Sequence, residues 1–189
     1  MSDHGGIIIP HGGYQNLKSH QTAEIMYDAT VRFCARFIDA RSRTQGQMIQ
    51  AARSGKQNIA EGSMASGTSK KTEKTELKLV GVAGASLEEL LLDYRDFLRL
   101  RGLPLWGKDH PRVQEIRKLA WVGDRSYATH RTYVEDSPAD IAANAIICLI
   151  HQATYLLDQQ LRQLEQQFLK EGGFTERLYR ARQEARKKS

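Results

Sequence analysis

The sequence has little of what most chemistry and most β-structure require. Two cysteines in 189 residues, Cys34 and Cys148, cannot build a disulfide framework. Each falls on an apolar face at helical spacing, so both are expected as reduced core thiols of a cytoplasmic protein. Four prolines and almost no runs of β-branched residues leave no strand pattern and few chain breaks, which points away from a sheet-based fold. The longest apolar run, near residues 141–150, is interrupted by Asn144, so no membrane span is expected. Met1 to Pro10 lacks a basic leader and groups only Ile7, Ile8 and Ile9, which does not read as a secretory signal. The histidines show no metal-ligand spacing with the cysteines, and the glycine pairs lack the strand–helix setting of a phosphate loop. No nucleophile–base pair can be assembled either. The expectation is therefore a non-enzymatic protein without cofactor or metal.

What the chain does have is helical periodicity. Leu77, Val80, Gly84, Leu87, Leu91, Tyr94 and Leu98 advance alternately by three and four, the seam of a helix packed lengthwise against others. A second stripe, Leu79, Ala83, Ser86, Leu90, Phe97 and Leu100, runs beside it. Two stripes exceed what one partner helix needs, so Leu79, Ala83, Leu90 and Phe97 are expected to form a seam between subunits. Pro104 just beyond Arg101-Gly102 supplies the stop. Asn16 is placed to cap an earlier helix reaching about Arg41, with Ile25, Met26, Ala29, Phe33 and Cys34 on its face. A second helix covers roughly Gln45–Met64, where Gly55 invites close packing and Gly62 suits a C-terminal cap or kink. Ser137-Pro138-Ala139-Asp140 is the clearest cap, opening a helix that reaches about Glu171 and stops at Gly172-Gly173.

These elements predict an all-α fold, an up-down antiparallel four-helix bundle over 16–173. A Gly-rich arm over 1–15 precedes it. An insertion at about 103–136 carries a short helix after Asp109, and a basic helical tail occupies 174–189. The tail holds six bases against two acids, and so supplies most of the net charge of +6.

Polar residues sort into structural and binding candidates. Asn58 and Glu61 on the second helix, with Ser86 and Glu89 on the third, suit an interhelical hydrogen-bond set better than catalysis. Asp93 and Asp96 read as a solvated, salt-bridged face, and His151 as a hydrogen-bonded core residue. Arg53, Lys56, Lys70, Lys71, Arg125, Arg131, Arg177 and Arg180 are the candidate nucleic-acid contacts. Such bases neutralise phosphates, and aromatics interleaved with bases over Trp121–Tyr133 offer stacking faces.

The run Gln47 to Gly62, containing Asn58-Ile59-Ala60-Glu61-Gly62, together with Gly84-Ala85-Ser86-Leu87-Glu88-Glu89-Leu90, resembles a family of bacterial four-helix-bundle proteins. That family includes proteins encoded by intervening sequences in ribosomal RNA genes and the accessory protein of diversity-generating retroelements. The likeness covers roughly 17–101 and, by position alone, the helix at 138–171; the rest looks like a longer variant with a four-helix-bundle suffix. The resemblance implies a homo-oligomeric ring, typically a pentamer, with a basic surface that meets RNA or DNA and no catalytic residues. The chain departs from the family pattern at Arg53, Gly55 and Lys56 and at Thr75-Glu76. The expected role is that of a nucleic-acid-binding accessory or scaffold. The alternative is a structural oligomer that recruits a protein partner through its arm and tail.

Overall fold

In the computed structural model, residues 13–65, 70–123, 126–171 and 174–188 are described. They form helices throughout, with no strand among them. A 3-10 turn at Gly13–Asn16 leads into α1 (Lys18–Phe37), α2 (Arg43–Ala65) and α3 (Lys70–Leu100). Two short helices, α4 (Pro111–Leu119) and α5 (Tyr127–Glu135), precede α6 (Ala139–Glu171) and α7 (Phe174–Lys188). The expected arm up to residue 12, the loop over 66–69 and the Gly172-Gly173 stop lie outside the described residues.

The core forms where α1 and α3 each pack against both α2 and α6. Phe33 of α1 reaches α3 through the middle, its ring centroid 4.9 Å from those of Tyr94 and Phe97. Tyr94 is fully buried, and its hydroxyl donates to Thr30 Oγ1 at 3.1 Å, which satisfies a phenol that would otherwise be stranded in apolar surroundings. Between α2 and α3 the glycines set the spacing. A Cβ on Gly55 would lie 2.7 Å from Leu87 Cδ2, so the two helices meet more closely there than any side chain allows. Gly62 is not the cap it resembled. It sits inside α2, buried, with Glu76 O and Val80 Cγ2 each 3.4 Å from where its Cβ would stand.

The second stripe of α3 is a correction. Ala83, Leu90 and Phe97 are buried within the chain and Leu79 is half-buried, because α3 faces two long helices and the Phe33 ring at once. Ala83, Leu90 and Phe97 are therefore not available as a seam between subunits. The apolar side chains that α3 leaves exposed are Leu77, Val82, Leu92 and Leu100. The helix ends as expected. Gly102 adopts φ +63°, while the Leu103 and Gly102 amides donate to the Leu98 and Arg99 carbonyls, closing the last turn.

Caps differ from the sequence reading at three places, one of them at α6, which begins at Ala139 while the Ser137 hydroxyl donates to the Thr132 carbonyl at 2.9 Å instead of capping it. Leu17, not Asn16, occupies the N-cap of α1, since Asn16 is spent in the preceding turn. His110, not Asp109, caps α4, its Nδ1 accepting from the Arg112 amide at 3.3 Å. Helix α5 has no clear apolar period and is held by local bonds, beginning with the Ser126 amide donating to Thr129 Oγ1 at 3.2 Å, together with one residue of α1. Arg36 of α1 donates to the Val134 and Ser137 carbonyls at its C-terminal end. Glu135 accepts from Tyr127 at 2.9 Å and Arg131 at 3.0 Å. One helical stretch, Ala139–Gln166, is apolar and long enough to cross a membrane, but 61% of its most apolar window is buried against the rest of the chain.

Candidate functional site

The insertion between α3 and α6 builds a large concave surface. Its anchor is Asn144, the residue that breaks the apolar run of α6. Asn144 is 1% exposed. Its Oδ1 accepts from the Trp106 amide at 2.8 Å, and its Nδ2 donates to the Pro104 and Asp140 carbonyls, each at 2.8 Å. A buried amide with every bond to backbone fixes the path of the chain leaving α3. Trp106 then stacks flat on His110, with centroids 4.5 Å apart. Val113 and Ile116 of α4 pack on Ala145 and Cys148 of α6. The insertion is thereby held against α6, leaving a cleft of about 770 Å³ between them.

The cleft lining has three chemical parts. Its apolar wall includes Leu105, Val113, Ile147, Cys148 and Leu156. Its aromatic part is Trp106, Trp121 and Tyr155, of which Trp121 is 87% and Tyr155 62% exposed. Its cationic part is Lys18, Arg95, Lys108 and Arg117, and no carboxylate lines it among the described residues. His151 and Gln152 complete the surface. Desolvation at the wall pushes the His151 imidazole below its ordinary value, and the Arg95 and Arg117 guanidiniums add to this against the pull of Glu88. His151 is thus a solvent-accessible cleft residue and not the core histidine that its neighbours on α6 suggested.

The thiols offer no nucleophile. Burial pushes Cys34 up to about 12, with the nearby Asp93 carboxylate adding to the shift, and Cys148 up to about 11. Both are free and buried, as their apolar sequence context implies.

Of the bases singled out in the sequence, Arg53, Lys56, Arg131 and Arg180 are described with their side chains and do not line this cleft. Arg53 is exposed on α2, and the Lys56 ammonium sits 4.4 Å over the Tyr27 ring. Arg131 is paired with Glu135 at 3.0 Å. Arg180 is exposed on α7. Lys70 and Lys71 open α3 and Arg177 lies in α7, with their side chains outside the described set, as is Arg125 altogether. The expected polar set does not form between helices either. Asn58 donates to Ser54 O of its own helix at 2.8 Å, and Glu61 is exposed. Ser86 and Glu89 line a shallow hollow of about 370 Å³ with Gln50 and Ser54. Asp96, in contrast, has the expected salt bridge, to Arg99 at 2.7 Å.

Sequence reasoning caught Trp121 as a stacking aromatic but missed Arg95, Arg117 and Gln152. The available signal was the coincidence of two tryptophans and several bases between Leu105 and Trp121, read there as a weak helix pattern. The fold defines an all-helical protein with an aromatic, cation-lined cleft. No known protein family, curated protein or solved structure matches the chain.

Proposed function

We propose that the chain is a non-enzymatic protein that binds single-stranded nucleic acid through the cleft between the 104–121 segment and α6. The observation that carries this reading is the pairing of exposed Trp121 and Tyr155 with Arg95, Lys108 and Arg117, with no carboxylate among the described lining residues. Aromatic faces stack on unpaired bases whatever their identity, and the cations neutralise the backbone between them. The cyclic packing order α1, α2, α3, α6 supports a four-helix bundle as the scaffold, with the insertion as its working part.

The test is a titration of fluorescent single-stranded DNA and RNA at low and high salt. Four cations in contact with phosphates imply a weakening of about 50-fold between about 50 and 200 mM salt. Arg117→Gln lowers the salt slope by about 0.7. Binding that ignores salt, or no binding at low salt, rejects the reading.

A second reading, a self-associating scaffold, is supported by Val82, Ala85 and Leu92, all exposed along α3. A ring, pentameric by resemblance, belongs to this reading. Solution mass by light scattering tests it, and a monomer rejects it.

A further inference from the structure

The three aromatic side chains of the cleft are not equivalent. Trp106 is already engaged, stacked on His110 at 4.5 Å with the Arg112 guanidinium 5.7 Å from its centroid. Trp121 and Tyr155 have neither a ring nor a cation against them among the described residues. Trp121 is also the most exposed of the large apolar side chains described, at 87%. Its face, and that of Tyr155, are open to a ligand. Leu105, 53% exposed, and the half-buried Leu156 add accessible aliphatic surface beside them.

Two cations are equally open. Arg95 and Arg117 are exposed, and neither has an ion pair among the described residues. Arg117 has one long bond, from Nη1 to the Lys108 carbonyl at 3.4 Å. Both guanidiniums act on the His151 imidazole, so α3 and α4 bring them to one region of α6. Glu88 acts on that imidazole in the opposite sense, but it lines no part of the cleft and pairs with neither arginine. Arginine brings donors and no acceptor, so the group it takes is an acceptor. A carboxylate is the flat anion that its fork meets with two parallel bonds.

We propose that the cleft binds a small planar aromatic carboxylate, its ring on Trp121 and Tyr155 and its carboxylate on Arg95 and Arg117. A cavity of about 770 Å³ lies within the span of about 300–1,000 Å³ that encloses ligands of this kind. The ligand is a partner beyond the nucleic acid proposed above, and its binding does not depend on that reading.

The experiment is isothermal titration calorimetry of the full chain with 2-naphthoate, its neutral isostere 2-naphthamide, and acetate as a head group without a ring. Naphthoate is expected to bind about tenfold more tightly than naphthamide, the factor that charge-assisted bonds supply. Acetate should bind far more weakly than either. Arg95→Gln and Arg117→Gln each remove most of the naphthoate–naphthamide ratio. Trp121→Ala weakens both ring-bearing probes and keeps their ratio. All three side chains are exposed, so the melting temperatures of these variants stay close to the parent's. Equal affinity for naphthoate and naphthamide overturns the carboxylate subsite, and acetate binding as tightly as naphthoate overturns the role of the rings. A ratio that survives both arginine variants, or affinity that survives Trp121→Ala, overturns the placement in this cleft. Oligonucleotide binding without naphthoate binding rejects the aromatic carboxylate alone, and the reverse result rejects the nucleic-acid reading alone.

Discussion

Asn144 shows how one side chain fixes a site from a distance. In sequence it is a polar interruption in an apolar helix. In the fold it holds both sides of the peptide segment that carries Trp106. Replacing it with alanine strands the Trp106 amide and the Pro104 carbonyl beside a buried helix. Asn144→Ala is expected to cost about 2 kcal/mol, measured by urea unfolding followed by circular dichroism. Fluorescence of Trp106 should shift to the red as the segment leaves α6, and an unchanged emission would mean that other contacts hold it. This residue was legible as an anomaly but its role was not. The partners, Pro104 and Trp106, are about 40 positions away, and nothing local marks them.

At the scale of elements, periodicity was a sound guide to which residues are helical and a poor one to which face meets what. Both stripes of α3 are real, and the chain itself covers most of each: Val80, Leu87, Tyr94 and Leu98 of the first stripe and Ala83, Leu90 and Phe97 of the second are buried. A stripe records that apolar surface must be covered and does not record by which chain. Glycines make the same point with opposite signs. Gly55 is pressed on Leu87, whereas Gly81, on the exposed side of α3, has no atom within 4 Å of where a Cβ would be. Gly55→Ala is expected to destabilise by about 1 kcal/mol, since displacing the fully buried Leu87 outweighs the gain in helix propensity. Gly81→Ala should stabilise by about 0.5–1 kcal/mol through that propensity alone. Paired thermal melts decide it, and a shift of the same sign for both would contradict the packing of α2 on α3. The short helix α5 escaped sequence reading for the reverse reason. Its start is closed by the Ser126–Thr129 cap, its end by Arg36 from α1, and its length by Tyr127 and Arg131 on Glu135, not by an apolar period.

At the scale of the whole molecule, acid sensitivity follows from two partly desolvated histidines, the buried His20 and the cleft-lining His151. Burial lowers His20, with Lys56 adding to it and Glu24 opposing, and desolvation lowers His151. Each takes a proton less readily in the fold than in the unfolded chain, whose imidazoles titrate near 6.5. Their contribution to stability is therefore complete above about pH 6.5 and is lost as pH falls through the lower folded values. Asp28 and Asp93 are raised by burial and by neighbouring carboxylates, so they hold protons more tightly in the fold and act in the other direction at lower pH. Melting temperature should fall as pH is lowered from about 6.5 towards the lower folded values, and the double variant His20→Gln, His151→Gln should flatten that fall. A parent curve already flat over that interval would refute the assignment. Taken alone, the sequence determined that this protein is helical, where its long helices run and end, and that its thiols are inert. Those properties are carried by spacing, caps and stops within a few residues of each other. Only the tertiary structure decided that Ala83, Leu90 and Phe97 of the second stripe of α3 are internal, and that the 104–121 segment closes a cleft on α6. Those outcomes depend on pairs such as Asn144 with Trp106 and Arg36 with Ser137, which meet only after the long helices have packed.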